Sequence, residues 1–241
     1  MDKNKKTVNL QQKNLGIKPL TMKEISDACP IDNRETRGKK VGQEISDGLA
    51  FIRKYPKSVS IFGSAKLDKD NLYYEKARSL AKKIVQETGY AVTSGGGPGI
   101  MEGANRGASE GGGDSLGLGI ELPYEQRINP YVTDSFEFYY FFTRKVSLAF
   151  SAEAYIYFPG GLGTLDEFFE IVTLVQTGKI QKVPIILVGD EYWKPIDTLI
   201  REHLLEKFGT IDEEDVELYT ITEDEDEIIK IIESAPLRKE D

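Results

Sequence analysis

The sequence has little of what metal and redox chemistry needs. Its 241 residues include one cysteine, Cys29, and one histidine, His203. A single cysteine excludes an internal disulfide and any cysteine-based zinc site, and a single histidine excludes a histidine-cluster metal centre. The sequence offers no obvious metal site, and no cofactor is expected. Nothing near Cys29 activates its thiol, and the charged neighbours of His203 suit a surface position. Basic residues are the minority, 31 against 40 acidic, for a formal net charge of −9. That balance argues against general nucleic-acid binding, which needs a basic face. No apolar run approaches the ~18 residues of a membrane span. The polar start MDKNKKTVNLQQKN has no apolar signal core. The expectation is a cytoplasmic protein with neither a membrane nor a nucleic-acid partner.

Charge divides the chain. Residues 1–57 carry 13 basic and 7 acidic side chains, whereas residues 210–241 carry 3 basic and 13 acidic ones. The first ~20 residues are polar and aperiodic, which suits a loosely attached arm. Residues 1–57 are therefore taken as an N-terminal extension, partly flexible, with a helix near 44–54. The main domain spans 58–235, and 236–241 is a tail. Within the domain short apolar runs alternate with amphipathic ones. Strands are predicted at 58–62, 90–93, 115–120, 132–136, 154–158 and 183–188. Helices are predicted at 71–88, with Leu72 on its apolar side, at 100–109, at 141–152, around Leu165–Val175 and through 199–208. Thr222 with Glu225 gives a capping-box pattern for a last helix. This alternation implies βαβ units and a doubly wound, Rossmann-like parallel sheet with helices on both faces.

In such sheets ligands bind beyond the carboxyl ends of the strands. Three predicted strand ends run into small residues: Gly63-Ser64-Ala65, Ser94-Gly95-Gly96-Gly97-Pro98-Gly99, and Pro159-Gly160-Gly161-Leu162-Gly163-Thr164. Glycine lets backbone approach a ligand closely, and a helix start presents unpaired N–H groups and a positive dipole end. Together they suit a phosphate-bearing ligand. A nicotinamide enzyme fits less well, because Ile100 holds the last glycine position of the dinucleotide fingerprint, although Glu121 stands at a plausible distance after the next strand. The phosphate-loop pattern of ATPases is absent. Asp166, Glu167 and Glu170 follow the third loop, where a sugar would lie. Arg144-Lys145 lies in the helix that leads to the strand before that loop, and arginine there suits phosphate or base recognition. The aromatic run from Phe136 to Phe142 is read as core or subunit interface, or as the wall of a purine pocket.

The segment Pro159-Gly160-Gly161-Leu162-Gly163-Thr164-Leu165-Asp166-Glu167 resembles the P-G-G-x-G-T-x-x-E motif of the LONELY GUY (LOG) family, long mislabelled as lysine decarboxylase. Arg144-Lys145 matches the family's R-K pair. Ser94–Glu102 and Phe62-Gly63-Ser64 resemble its other loops, and the stretch 120–126 looks like a bacterial branch. The resemblance covers about residues 58–235. It implies hydrolysis of the N-glycosidic bond of a nucleoside 5′-monophosphate, AMP or a cytokinin riboside monophosphate, to free base and ribose 5-phosphate. Glu167 and Arg144 would be the catalytic pair. Gly63, Ser64, Gly96, Gly97, Lys145, Gly160, Gly161, Gly163 and Thr164 would bind substrate. The resemblance further implies a homodimer or larger homo-oligomer. Phe141 replaces the methionine usual at the start of the R-K motif, and the short plant-like members have no counterpart of residues 1–57. The competing reading is a non-catalytic nucleotide or molybdenum-cofactor carrier of the same fold. The decarboxylase label has no support in the residues, since no pyridoxal signature of Schiff-base lysine and acidic ring partner is legible.

Overall fold

The computed structural model describes residues 34–121 and 128–237. Cys29, the arm expected over the first residues, most of the 120–126 stretch and the end of the tail lie outside the described residues. The described chain folds as α1 (Arg34–Ile52), β1 (Ser58–Phe62), α2 (Leu72–Thr88), β2 (Ala91–Ser94), α3 (Ile100–Glu110), β3 (Ser115–Ile120), β4 (Asp134–Phe138), α4 (Phe141–Ala149), β5 (Ala154–Tyr157), α5 (Leu162–Gln176), β6 (Ile185–Leu187), α6 (Asp190–Thr198), β7 (Thr220–Ile221) and α7 (Glu225–Ser234). The strands form one sheet in the order β4-β3-β2-β1-β5-β6-β7, and every pair is parallel. The order reverses between β1 and β5, so the crevice a ligand would use opens above their carboxyl ends.

Strand periodicity builds two cores. In β5, Ala154 and Ile156 face one side and Tyr155 and Tyr157 the other, all fully buried. Val59, Ile61, Ile156 and Ile186 meet Ala77, Leu80, Ile84, Ile100, Ala104 and Ile228 beneath α2, α3 and α7. On the opposite face Phe62, Tyr155 and Tyr157 meet Leu148, Phe168 and Trp193 beneath α4, α5 and α6, joined by Phe51 and Ile52 of α1. Phe62 stacks on Tyr157 with centroids 5.0 Å apart. The indole of Trp193 donates to the Tyr157 carbonyl at 3.0 Å, which satisfies a polar group that burial would otherwise penalise.

Several element ends differ from expectation, each for a local reason. Leu72 is exposed; the buried face of α2 begins at Tyr74. β4 starts at Asp134; the preceding Thr133 is tied to Ser115 twice, its N–H donating to the Ser115 carbonyl at 2.7 Å and its hydroxyl accepting from the Ser115 N–H at 2.9 Å. β6 is short because Pro184 has no N–H to give its ladder. α4 stops at Ala149, where Ser151 turns inward and its hydroxyl bonds the Leu148 carbonyl. The helix expected through 199–208 is a π-helical continuation of α6, closed by Gly209 at φ 58°. α7 is capped by Asp224, which accepts from the N–H of Asp226 and Glu227; Thr222 instead donates to Glu227 Oε2 at 2.5 Å. Among the described residues no helix is long and apolar enough to cross a membrane.

Candidate active site

Three loops converge over the switch point and are laced together by backbone. Ser64 N–H donates to the Pro159 carbonyl at 3.0 Å, and Ile100 N–H donates to the Ser64 carbonyl at 3.0 Å. Gly99 makes the second contact possible. Its φ is +70°, and a Cβ there would lie 2.3 Å from the Ser64 carbonyl oxygen. Above the loops lies a cavity of about 430 Å³, within the ~300–1,000 Å³ of small-molecule sites.

Its lining brings together Gly63, Ser64, Gly96, Gly97, Arg144, Lys145, Gly161, Gly163, Thr164 and Glu167. Of the residues expected to bind or transform substrate, only Gly160 stands off the lining. Its carbonyl accepts from the Tyr192 hydroxyl at 2.8 Å, and a Cβ on it would lie 2.0 Å from Thr164 Oγ1. Glu121 is exposed beyond β3 and also off the lining, and His203 is exposed on the π-helical segment.

In the cavity wall α5 begins after its N-cap Gly161 without a side-chain cap. Its first intrahelical bond runs from Leu165 N–H to the Gly161 carbonyl, so the N–H groups of Leu162, Gly163 and Thr164 precede the helical ladder. A Cβ added at Gly161 or Gly163 would meet nothing within 4 Å. The result is an open, electropositive helix start with room for an anion.

Close to this helix start stand the charged side chains. Arg144 is half-buried; its Nε donates to the Leu118 carbonyl at 2.7 Å. Burial lowers its pKa, and the nearby Glu167 opposes that shift. Lys145 Nζ donates to Asp166 Oδ2 at 2.8 Å and lies 3.4 Å from Glu170 Oε2. Burial pulls the Lys145 pKa down, but the Asp166 bond and the surrounding carboxylates prevail and raise it. Glu167 is pushed up to about 7, first by burial and then by Glu170; Lys145 and Arg144 pull the other way. Such a carboxyl is poised for proton work near neutrality. Among the described residues no group of three or more His, Cys, Asp or Glu side chains could hold a metal.

Residues 101–232 match the family model described as "Possible lysine decarboxylase". The chain belongs to this family, the LOG family. One LOG relative is a cytokinin riboside 5′-monophosphate phosphoribohydrolase of Rhodococcoides fascians, 28% identical over 163 residues, which cover 67% of this chain and 82% of the relative. A rice protein of the same description is 32% identical over 154 residues, 61% of this chain and 60% of the relative. Among solved structures, a molybdenum cofactor binding protein of Rippkaea orientalis superposes with a TM-score of 0.53 at 22% identity, covering 73% of this chain and 94% of that one. The molybdenum cofactor carrier protein of Chlamydomonas reinhardtii does so with a TM-score of 0.54 at 21% identity, over 73% and 96%. These structures share the fold.

Sequence reasoning missed a buried polar network behind the second loop. Asn105 of α3 is fully buried. Its Oδ1 accepts from Ser94 Oγ at 2.7 Å and from Asn129 Nδ2 at 2.8 Å. Asn129 Nδ2 also reaches the carbonyls of Gly96 and Gly97, each at 3.1 Å, and Ser94 Oγ accepts from Gly96 N–H at 3.0 Å. The network fixes the glycine loop from below. Met101, Gly119, Ile120, Ile128, Glu137 and Phe141 also line the cavity. Of the aromatic run, Phe138 is core, while Tyr139, Phe141 and Phe142 are about half exposed.

Proposed function

We propose that this LOG-family protein hydrolyses the N-glycosidic bond of a nucleoside 5′-monophosphate, AMP or a cytokinin riboside monophosphate, to free base and ribose 5-phosphate. The observation that carries this reading is the cavity's polarity. An open helix start for phosphate lies in the lining, and a half-buried carboxyl with its pKa raised to about 7 lies one turn further along the same helix, near a half-buried arginine. The relatives' described activity supports the same reaction.

Each group then has a task. The N–H groups at Leu162, Gly163 and Thr164 hold the phosphate, so that remote binding energy fixes the ribose in register. Glycoside cleavage passes through an oxocarbenium-like state. The Glu167 carboxylate faces C1′, offsets its developing positive charge and orients the attacking water. Arg144 stays cationic, since arginine is not deprotonated in proteins, and it positions the departing base. Lys145, ion-paired to Asp166 and Glu170, neutralises carboxylates that would otherwise repel the phosphate.

The decarboxylase description implies pyridoxal phosphate, and the lining does not fit it. Its lysines are Lys66 and Lys145. Lys145 is held protonated by its ion pairs, whereas a Schiff base forms from a neutral amine, and Lys66 is exposed at the rim.

Glu167→Gln separates catalysis from carriage. The variant is expected to bind AMP with unchanged affinity by calorimetry and to lose turnover by about 10²-fold or more. Wild-type turnover in the variant contradicts the assignment. Tight binding without turnover in the wild type supports the carrier reading.

A further inference from the structure

The cavity wall that carries Arg144 is fastened from outside the sheet. α4 has no acidic residue in its first turn, and Tyr140 at its N-cap makes no side-chain capping bond. A helix start favours a negative partner, and here α1 supplies one. The Glu44 carboxylate accepts from the N–H of Tyr139 at 2.6 Å and of Tyr140 at 3.2 Å. The Thr143 hydroxyl also donates to Glu44, with the Tyr140 carbonyl at 2.7 Å as its alternative acceptor. One side chain therefore grips the link from β4 to α4 and the first turn of α4. Glu137, Phe141, Arg144 and Lys145, which flank those grip points, all line the cavity; Glu44 does not.

The grip depends on how closely α1 lies. A Cβ at Gly48 would fall 2.6 Å from Ser147 Oγ and 2.7 Å from the Phe138 ring, so only glycine lets α1 rest flush on α4 and β4. Near the carboxyl end of α1, Phe51 packs on Phe136, and beyond the helix the Tyr55 hydroxyl donates to Asp134 Oδ2 at 2.9 Å.

We propose that Glu44 is a positioning residue for Arg144, and that α1 braces the helix presenting it; this rests on the phosphoribohydrolase reading. Arg144 is fixed at its Nε by the Leu118 carbonyl and at its backbone by α4. Releasing the start of α4 shifts the guanidinium relative to Glu167 and the departing base. A misplacement of ~1 Å costs up to ~10²-fold in rate. The N–H groups that hold the phosphate belong to the start of α5 and stay in place, so the effect falls on kcat and not on KM.

The test compares Glu44→Ala and Glu44→Gln in the full chain, with AMP as substrate and amide hydrogen exchange followed by mass spectrometry. Glutamine keeps one acceptor oxygen, and alanine keeps none. The expected order of kcat is wild type, then Glu44→Gln, then Glu44→Ala, with the alanine variant down about tenfold or more and KM within about threefold. Exchange is expected to rise in residues 139–149 and not across the sheet. Wild-type kcat in Glu44→Ala overturns the proposal. So does a loss of protection throughout the chain with kcat and KM changing together, which marks a purely structural role. If the wild type releases no base from any monophosphate, the hydrolase reading falls by itself. The brace is then judged by exchange: a loss of protection confined to 139–149 upholds it, and unchanged protection overturns it.

Discussion

Gly160 and Gly161 are adjacent and answer to different constraints. Gly160 is pressed against Thr164, and Gly161 opens onto the cavity with nothing near the place of its missing side chain. Gly160→Ala forces a buried β-branched neighbour to move and is expected to destabilise by about 1–3 kcal/mol, read as a lower thermal midpoint. Gly161→Ala meets no protein atom. It is expected to leave the midpoint unchanged and to weaken binding of ribose 5-phosphate by about tenfold or more, because its methyl group would occupy the place proposed for the phosphate. Equal midpoints for the two variants would contradict this division. Glu167 makes the second residue-scale prediction. With its carboxyl held up to about 7 and acting in its ionised form, kcat is expected to rise with pH through about 7 and level off above it. A profile that is flat from pH 5 to 8 would show that this carboxylate is not the working group.

At the scale of elements, the glycine loop after β2 is held by a side chain that the sequence hides. Asn105 lies within α3, where a polar residue reads as surface, yet its bonds to Ser94 and Asn129 stabilise the loop that lines the cavity. Asn105→Leu would leave the Ser94 hydroxyl and the Asn129 amide short of a buried partner. It is expected to destabilise by about 1–3 kcal/mol or more and to speed amide exchange at residues 95–97. Unchanged exchange there would rule out the network as the loop's anchor. The same comparison shows what was legible. Alternating apolar runs placed β1, α2, β3 and α5, because period and glycine punctuation are local signals. The glycine loops and the Arg144-Lys145 and Asp166-Glu167 pairs were legible for the same reason. The Asn105 network and the element end at Thr133, bonded to Ser115, were not, since each is decided by contacts 10 to 24 residues away. Glu44 belongs with them: its partners lie 95 to 99 residues away.

At the scale of the whole molecule, the site comes at the expense of stability. The Glu167 carboxyl titrates near 7 in the folded protein against 4.5 as its ordinary value, so the native state binds the extra proton between those two pH values. Its favourable contribution is fully present below about 4.5 and is lost as pH rises through about 7. Glu167→Gln removes the ionising group and is expected to raise stability at pH 8 by up to about 3 kcal/mol, with little change at pH 4.5. A lower melting temperature for the variant at pH 8 would contradict the raised pKa. The sheet order sets where all of this happens: the reversal between β1 and β5 opens one crevice, and the loops after β1, β2 and β5 fill its rim. The measurement that tests the central claim most directly is release of free base from AMP, from a cytokinin riboside monophosphate and from their nucleosides by the purified protein, resolved by liquid chromatography. The account predicts free base and ribose 5-phosphate from at least one of the two monophosphates and no base from either nucleoside, because in this account the helix start of α5 must hold a phosphate. Equal release from a monophosphate and its nucleoside, or release from neither monophosphate, would contradict it.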